Sequence, residues 1–65
     1  MITITKIDKF NNTLTMMALS TDIKPIEKVE FKGVTYTVTD GSIFYEKDTQ
    51  IASMYDEENR IWIEQ

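Results

Sequence analysis

Apolar and polar residues alternate most clearly in the middle of the chain, around a short glycine turn. Residues 29–31 and 34–38 alternate on either side of Lys32 and Gly33, which predicts a β-hairpin closed by a two-residue turn. Pairing across this turn forms two apolar pairs, Phe31 with Val34 and Val29 with Tyr36. One face of the hairpin is therefore expected to be apolar.

A second glycine turn, formed by Asp40 and Gly41, predicts a third strand that extends this hairpin into a meander. Pairing across it places Val38 opposite Ile43 and Tyr36 opposite Tyr45, on the same apolar face. Phe44 is then expected on the other face, beside Thr37. There it is either a second core contact or an exposed residue that binds a partner.

The C-terminal segment predicts one more hairpin, with strands over residues 50–55 and 60–64 and an acidic loop at 56–59. If Asn59 adopts the left-handed conformation of a three-residue loop, Met54 lies opposite Trp62 and Tyr55 opposite Ile61. Tyr55 then shares a face with Ile61 and Ile63, and Trp62 shares the other face with Met54. A four-residue loop would shift this register by one.

The N-terminal third predicts a strand over residues 2–9, followed by two alternatives for residues 13–19. They form either its hairpin partner after Asn11 and Asn12 or a short helix capped by Asn12. The expected fold is a single all-β domain, 1–65, in which five to seven short strands form an antiparallel meander curling into a barrel or strongly bent sheet. An α+β fold with one short helix near residues 12–20 is the alternative.

The composition argues against catalysis, because the 65 residues include no histidine and no cysteine. Histidine is the usual acid-base group near neutral pH, and cysteine is a common nucleophile. The acidic loop at 56–59 lacks the spacing and central glycine of a calcium-binding loop, and no glycine-rich phosphate loop is present. We expect a protein that is not an enzyme, with no catalytic residues, no bound metal and no cofactor.

The charge of the chain is concentrated in its C-terminal part. Residues 1–39 carry five lysines against four acidic residues, or +1, whereas residues 40–65 carry Lys47 and Arg60 against seven acidic residues, or −5. An acidic surface repels phosphate backbones, so direct binding to nucleic acid is disfavoured and a basic protein surface is the expected partner. The residues predicted to bind it are Phe44, Glu46, Asp48, Asp56, Glu57, Glu58 and Trp62.

These features favour a small acidic interaction module, an inhibitor or adaptor that docks on a basic surface of a nucleic-acid-handling protein. Its size and composition fit a product of a phage or mobile element. One alternative is a structural homo-oligomer that assembles through strand edges. Another is a small barrel that binds single-stranded nucleic acid by stacking on Tyr36, Tyr45 or Trp62. Without a signal peptide or a long apolar segment, we expect a cytoplasmic protein that does not enter membranes.

Overall fold

A computed structural model describes residues 1–65 and contains seven β-strands and no helix. The strands are β1 (Thr3–Asp8), β2 (Thr13–Ala18), β3 (Lys28–Phe31), β4 (Val34–Thr37), β5 (Ile43–Glu46), β6 (Ile51–Asp56) and β7 (Ile61–Glu64). The predicted all-β class is confirmed. Residues 13–18 form a strand paired with β1, so the alternative with a short helix near residues 12–20 is wrong.

Five strands form one sheet in the order β1-β2-β5-β6-β7, and β3 and β4 form a separate two-stranded sheet. All neighbours are antiparallel except β2 and β5, which run parallel. Strands β1 and β7 lie at opposite edges and do not pair, so the sheet does not close into a barrel, which was one of the two predicted forms. The parallel pairing joins two hairpin units that lie far apart in the sequence.

The β3–β4 hairpin has the predicted register, with Phe31 opposite Val34 and Val29 opposite Tyr36. Its two turn residues, Lys32 and Gly33, both have positive φ angles, 52° and 78°. Two consecutive positive φ angles define the tight turn whose twist matches that of paired strands. This part of the chain folds as its local sequence dictates.

The predicted third strand of the meander is wrong, because β5 pairs with β2 and β6 rather than with β4. The chain does turn at Asp40 and Gly41: the Ser42 N–H donates to the Thr39 carbonyl at 3.1 Å, and φ of Gly41 is 87°. A turn with positive φ only at its third residue splays the flanking segments instead of pairing them. Phe44 consequently lies opposite Met16 and Ser53, not beside Thr37.

Three hairpin loops share one design of four residues, and this design decides the register of the last hairpin. Each loop follows an acidic residue and ends on a residue with positive φ, namely Asn12 at 57°, Gln50 at 62° and Arg60 at 55°. Arg60, not Asn59, thus takes the left-handed conformation. The four-residue alternative is therefore the correct one: Tyr55 lies opposite Trp62 and Met54 opposite Ile63, so the three-residue register and its assignment of faces are wrong.

The core is a single thin layer between the β3–β4 hairpin and one face of the five-stranded sheet, called the inner face below. It contains eight buried apolar residues: Ile4, Leu14, Met16, Ala18, Val29, Val38, Phe44 and Tyr55. Trp62 packs on this cluster, with its ring centroid 5.7 Å from that of Phe44 and 4.9 Å from that of Tyr55. Every large apolar side chain on the other face of the sheet is left outside this layer.

Candidate interaction surface

The face of the five-stranded sheet that points away from the core is not covered by any other element. We call it the outer face, and it is formed by the residues of β2, β5, β6 and β7 that alternate with the buried ones: Thr13, Thr15, Met17, Ile43, Tyr45, Ala52, Met54, Ile61 and Ile63. Met54 is 39% exposed, Ile61 51% and Ile63 47%. A single-layer core therefore leaves one side of the sheet open to solvent.

The outer face is apolar at its centre, where none of the nine residues named above is charged. Seven of its nine residues are apolar and the other two are threonines. Charged residues lie only at its margins, with Lys6 and Asp8 on β1 and Asp56 at the end of β6. Contiguous apolar surface with a polar rim is typical of surfaces that bind other macromolecules.

Three of the predicted acidic residues lie together at one end of the sheet. Asp56 ends β6, and Glu57 and Glu58 follow it in the β6–β7 loop. This loop is tied to the turn before β5, because the Glu57 N–H donates to Asp40 at 2.5 Å and the Asp40 N–H donates to Glu57 at 3.3 Å. We call these four residues the acidic end. The Asn59 side chain also donates to Asp56, and this hydrogen bond lowers the pKa of Asp56.

The other two predicted acidic residues, Glu46 and Asp48, lie at the opposite end, because β6 runs the length of the sheet between the two loops. Glu46 is buried and accepts hydrogen bonds from Lys24 and Thr49, both at 2.7 Å. The hydrogen bond from Lys24 is the main cause of the lowered pKa of Glu46. This carboxylate is buried and paired within the chain.

Asp48 is likewise used within the chain. It accepts hydrogen bonds from the Ser20 N–H at 2.9 Å and from the Ser20 hydroxyl at 2.6 Å, and the hydroxyl bond is the main cause of its lowered pKa. Asp48 thus ties the segment after β2 to the β5–β6 loop. The predicted acidic residues therefore form two groups. Glu46 and Asp48 are hydrogen-bonded within the chain at one end of the sheet, and Asp56, Glu57 and Glu58 lie at the other end.

The two aromatic residues predicted to bind a partner belong to the inner face. Phe44 is fully buried, so it takes the core role that the sequence left open and has no surface for a partner. Trp62 is half-buried, and its indole N–H donates to the Pro25 carbonyl at 2.9 Å. Tyr45 lies on the outer face whereas Tyr36 and Trp62 pack on the core, so these three rings form no continuous stacking surface.

Sequence reasoning missed the outer face as a site. It placed Ile43 and Tyr45 on the apolar face of the meander and Ile61 and Ile63 on a face with Tyr55, because alternation shows which residues share a face but not which face is covered. The available signal was that residues 43–45, Ile-Phe-Tyr, are apolar on both sides of one strand. A core only one layer thick can cover just one of those sides.

No group of three or more acidic, histidine or cysteine side chains is arranged to hold a metal ion. The structure contains no helix with the length and apolar character needed to cross a membrane. No protein-family model matches the sequence, and the chain matches neither a curated protein nor a solved structure. The outer face and the acidic end are therefore the features from which a function can be argued.

Proposed function

We propose that this protein is a non-catalytic interaction module that docks its outer face on another protein, with the acidic end contacting basic residues beside the docking site. The observation that carries the proposal is the uncharged apolar outer face, which no element of the chain covers. Burying such a face in a partner removes apolar area from water at roughly 25 cal/mol per Å².

The size of the outer face argues that the acidic end is part of the same interface. Strands about 4.8 Å apart that rise about 3.3 Å per residue give four strands a footprint of roughly 20 by 15 Å. That is less than the ~800 Å² per partner of a standard interface, so neighbouring surface has to contribute. The acidic end adjoins the outer face through Asp56, which pairs with Ile61.

The acidic end also defines the chemistry of the partner. Arg60 and Lys28 are the basic residues that line a cavity together with Glu57 of the acidic end, and Arg60 is itself paired with Glu27 at 2.8 Å. Charges at the rim of an interface mainly raise the association rate and select the partner. A protein that handles nucleic acid presents lysine and arginine around its binding surface, and this module would inhibit or recruit such a protein by occupying that surface.

The test uses three variants of the purified protein against each partner that it captures and that mass spectrometry identifies. Met54→Lys places a charge in the centre of the outer face and should weaken binding more than tenfold. A double variant, Glu57→Gln with Glu58→Gln, should slow association and reduce its salt dependence while leaving dissociation nearly unchanged. Surface plasmon resonance at two salt concentrations measures both.

Thr35→Lys is the matched control, because it adds the same charge at an exposed position of β4, in the separate two-stranded sheet and opposite Glu30. It should bind like the unmodified protein. The proposal is wrong if Met54→Lys and Thr35→Lys bind a purified partner equally well. Circular dichroism and urea unfolding of each variant separate a lost interface from a lost fold.

A further inference from the structure

The two edges of the five-stranded sheet differ in how well they are protected against pairing with another strand. Strand β1 carries a bulge at Thr5, where the register with β2 shifts, and the Thr5 hydroxyl donates to the Thr15 carbonyl at 3.2 Å. Lys6 belongs to the same strand, and Lys9 follows it in the β1–β2 loop. A bulge and lysines are the usual devices that stop an edge strand from pairing. The β1 edge is therefore protected against pairing with another strand.

The β7 edge has none of these devices. Its pairing with β6 is regular from Ile61 to Glu64, and it contains no proline, lysine or bulge. Ile61 and Ile63 are each about half exposed beside it. The loop after β2 reaches β7 from the inner face, through the hydrogen bond of Trp62 to Pro25, and supplies no backbone partner to the edge.

The hydrogen bonds between β7 and β6 show which backbone N–H and C=O groups of β7 are unpaired. The Gln65 N–H donates to the Ala52 carbonyl at 2.9 Å, so Gln65, Ile63 and Ile61 direct their backbone groups towards β6. Alternate residues of a strand point their backbone groups to opposite sides. The N–H and C=O groups of Trp62 and Glu64 therefore point away from the sheet, ready to pair with another strand.

We infer that β7 pairs antiparallel with β7 of a second copy of this chain, about a two-fold axis at Trp62, to form a continuous ten-stranded sheet. In this register Ile61 of each copy lies opposite Ile63 of the other copy, on the outer face. The same register also brings Arg60, which precedes β7 and is ion-paired with Glu27 of its own chain, opposite Glu64 of the partner at both ends of the contact. The charge sequence along this edge is thus complementary to itself, although each chain carries a net charge of −4.

The self-association adds to the proposed function without depending on it. The dimer joins two outer faces side by side and covers neither, so a partner would meet two copies of the docking surface. Because the edge is short, the contact is smaller than a standard interface, and the dissociation constant should be on the order of 100 µM. Binding to a partner with two sites would then gain by avidity.

Mixing two charge variants tests the register in the full-length protein. Glu64→Arg alone sets Arg60 against a second arginine, and Arg60→Glu alone sets two glutamates against each other, so each should dimerise about tenfold more weakly. In a mixture, every pair across the axis is again opposite in charge. Sedimentation velocity between about 10 µM and 1 mM, with native mass spectrometry, should show the mixed dimer restored to the affinity of the unmodified protein.

A proline variant tests the backbone pairing. Glu64→Pro removes an N–H that points away from the sheet, so the monomer should keep its fold while dimerisation is abolished; Glu64→Gln, which keeps the N–H, should weaken it only a few-fold. The inference is overturned if the protein stays monomeric at the highest concentration, or if the dimer survives Glu64→Pro. It is also overturned if Met54→Lys dissolves the dimer but the edge variants do not, because the copies then meet through their outer faces.

Discussion

Replacing Ser42 with alanine should destabilise this protein far more than the loss of one exposed hydroxyl would. Ser42 is fully buried at the start of β5, and its hydroxyl oxygen accepts a hydrogen bond from the Leu14 N–H at 3.1 Å. The parallel pairing of β2 with β5 begins only at Thr15 and Ile43. Leu14 therefore directs its N–H to a position where β5 offers no carbonyl, and the serine supplies the acceptor.

The magnitude follows from leaving this buried N–H without an acceptor. An unpaired buried donor costs about 1–3 kcal/mol. A domain of this length is expected to be stable by roughly 3–10 kcal/mol, so Ser42→Ala removes a large fraction of its stability. At about 4–8 °C per kcal/mol for small domains, Tm should fall by roughly 5–20 °C.

Urea unfolding followed by Trp62 fluorescence measures the change, and the m-value should stay constant. Hydrogen exchange of the Leu14 amide should accelerate about tenfold for each 1.4 kcal/mol of lost local stability. Ser53→Ala is the matched control, because Ser53 is also buried on the inner face but accepts no hydrogen bond from a backbone N–H. A cost below about 0.5 kcal/mol for Ser42→Ala, or equal costs for both variants, would refute the reasoning.

Three further predictions concern the loops and the acid limit of stability. Gln50→Gly should raise the free energy of unfolding in urea by about 0.5–1 kcal/mol, because Gln50 is exposed with φ of 62°, a conformation that only glycine adopts without strain. Trp62→Phe should lower it by about 1–2 kcal/mol and speed proteolysis of the segment at Pro25, since the indole hydrogen bond to that carbonyl is lost. Asp48 has a folded-state pKa below its ordinary value of 3.8, chiefly through the Ser20 hydroxyl, so its contribution is present above that pH and disappears as the pH falls through the folded-state pKa. Thermal unfolding from about pH 5 to pH 2 should therefore show a smaller loss of stability for Asp48→Asn than for the unmodified protein.

The sequence predicts those parts of the fold that depend on neighbouring residues. The Lys32 and Gly33 turn sets the β3–β4 register by itself, since its two positive φ angles allow only one tight hairpin. For the last hairpin the sequence leaves a three-residue and a four-residue loop open, because the choice of Arg60 over Asn59 for the left-handed position depends on hydrogen bonds that Asp56 accepts within the loop.

The pairing of β2 with β5 could not be predicted, because the alternation of apolar and polar residues is the same whether the neighbouring strand runs parallel or antiparallel. That pairing moves Phe44 into the core and turns Ile43 and Tyr45 outwards. The acidic end was identified in part from the sequence, since a loop of consecutive acidic residues is a local signal. The outer face was not, because coverage of a sheet is a tertiary property.

The parallel neighbours β2 and β5 also determine how the chain reaches its fold. The β1–β2 hairpin and the β5–β6–β7 unit each form from residues close in sequence, whereas joining them closes the loop over residues 19–42. Closing this loop costs chain entropy before the stabilising contacts between β2 and β5 have formed, so this step should limit the folding rate. Until it occurs, β2 and β5 are both open edges, which makes the newly synthesised chain most prone to aggregation at the seam that the finished sheet buries in its centre.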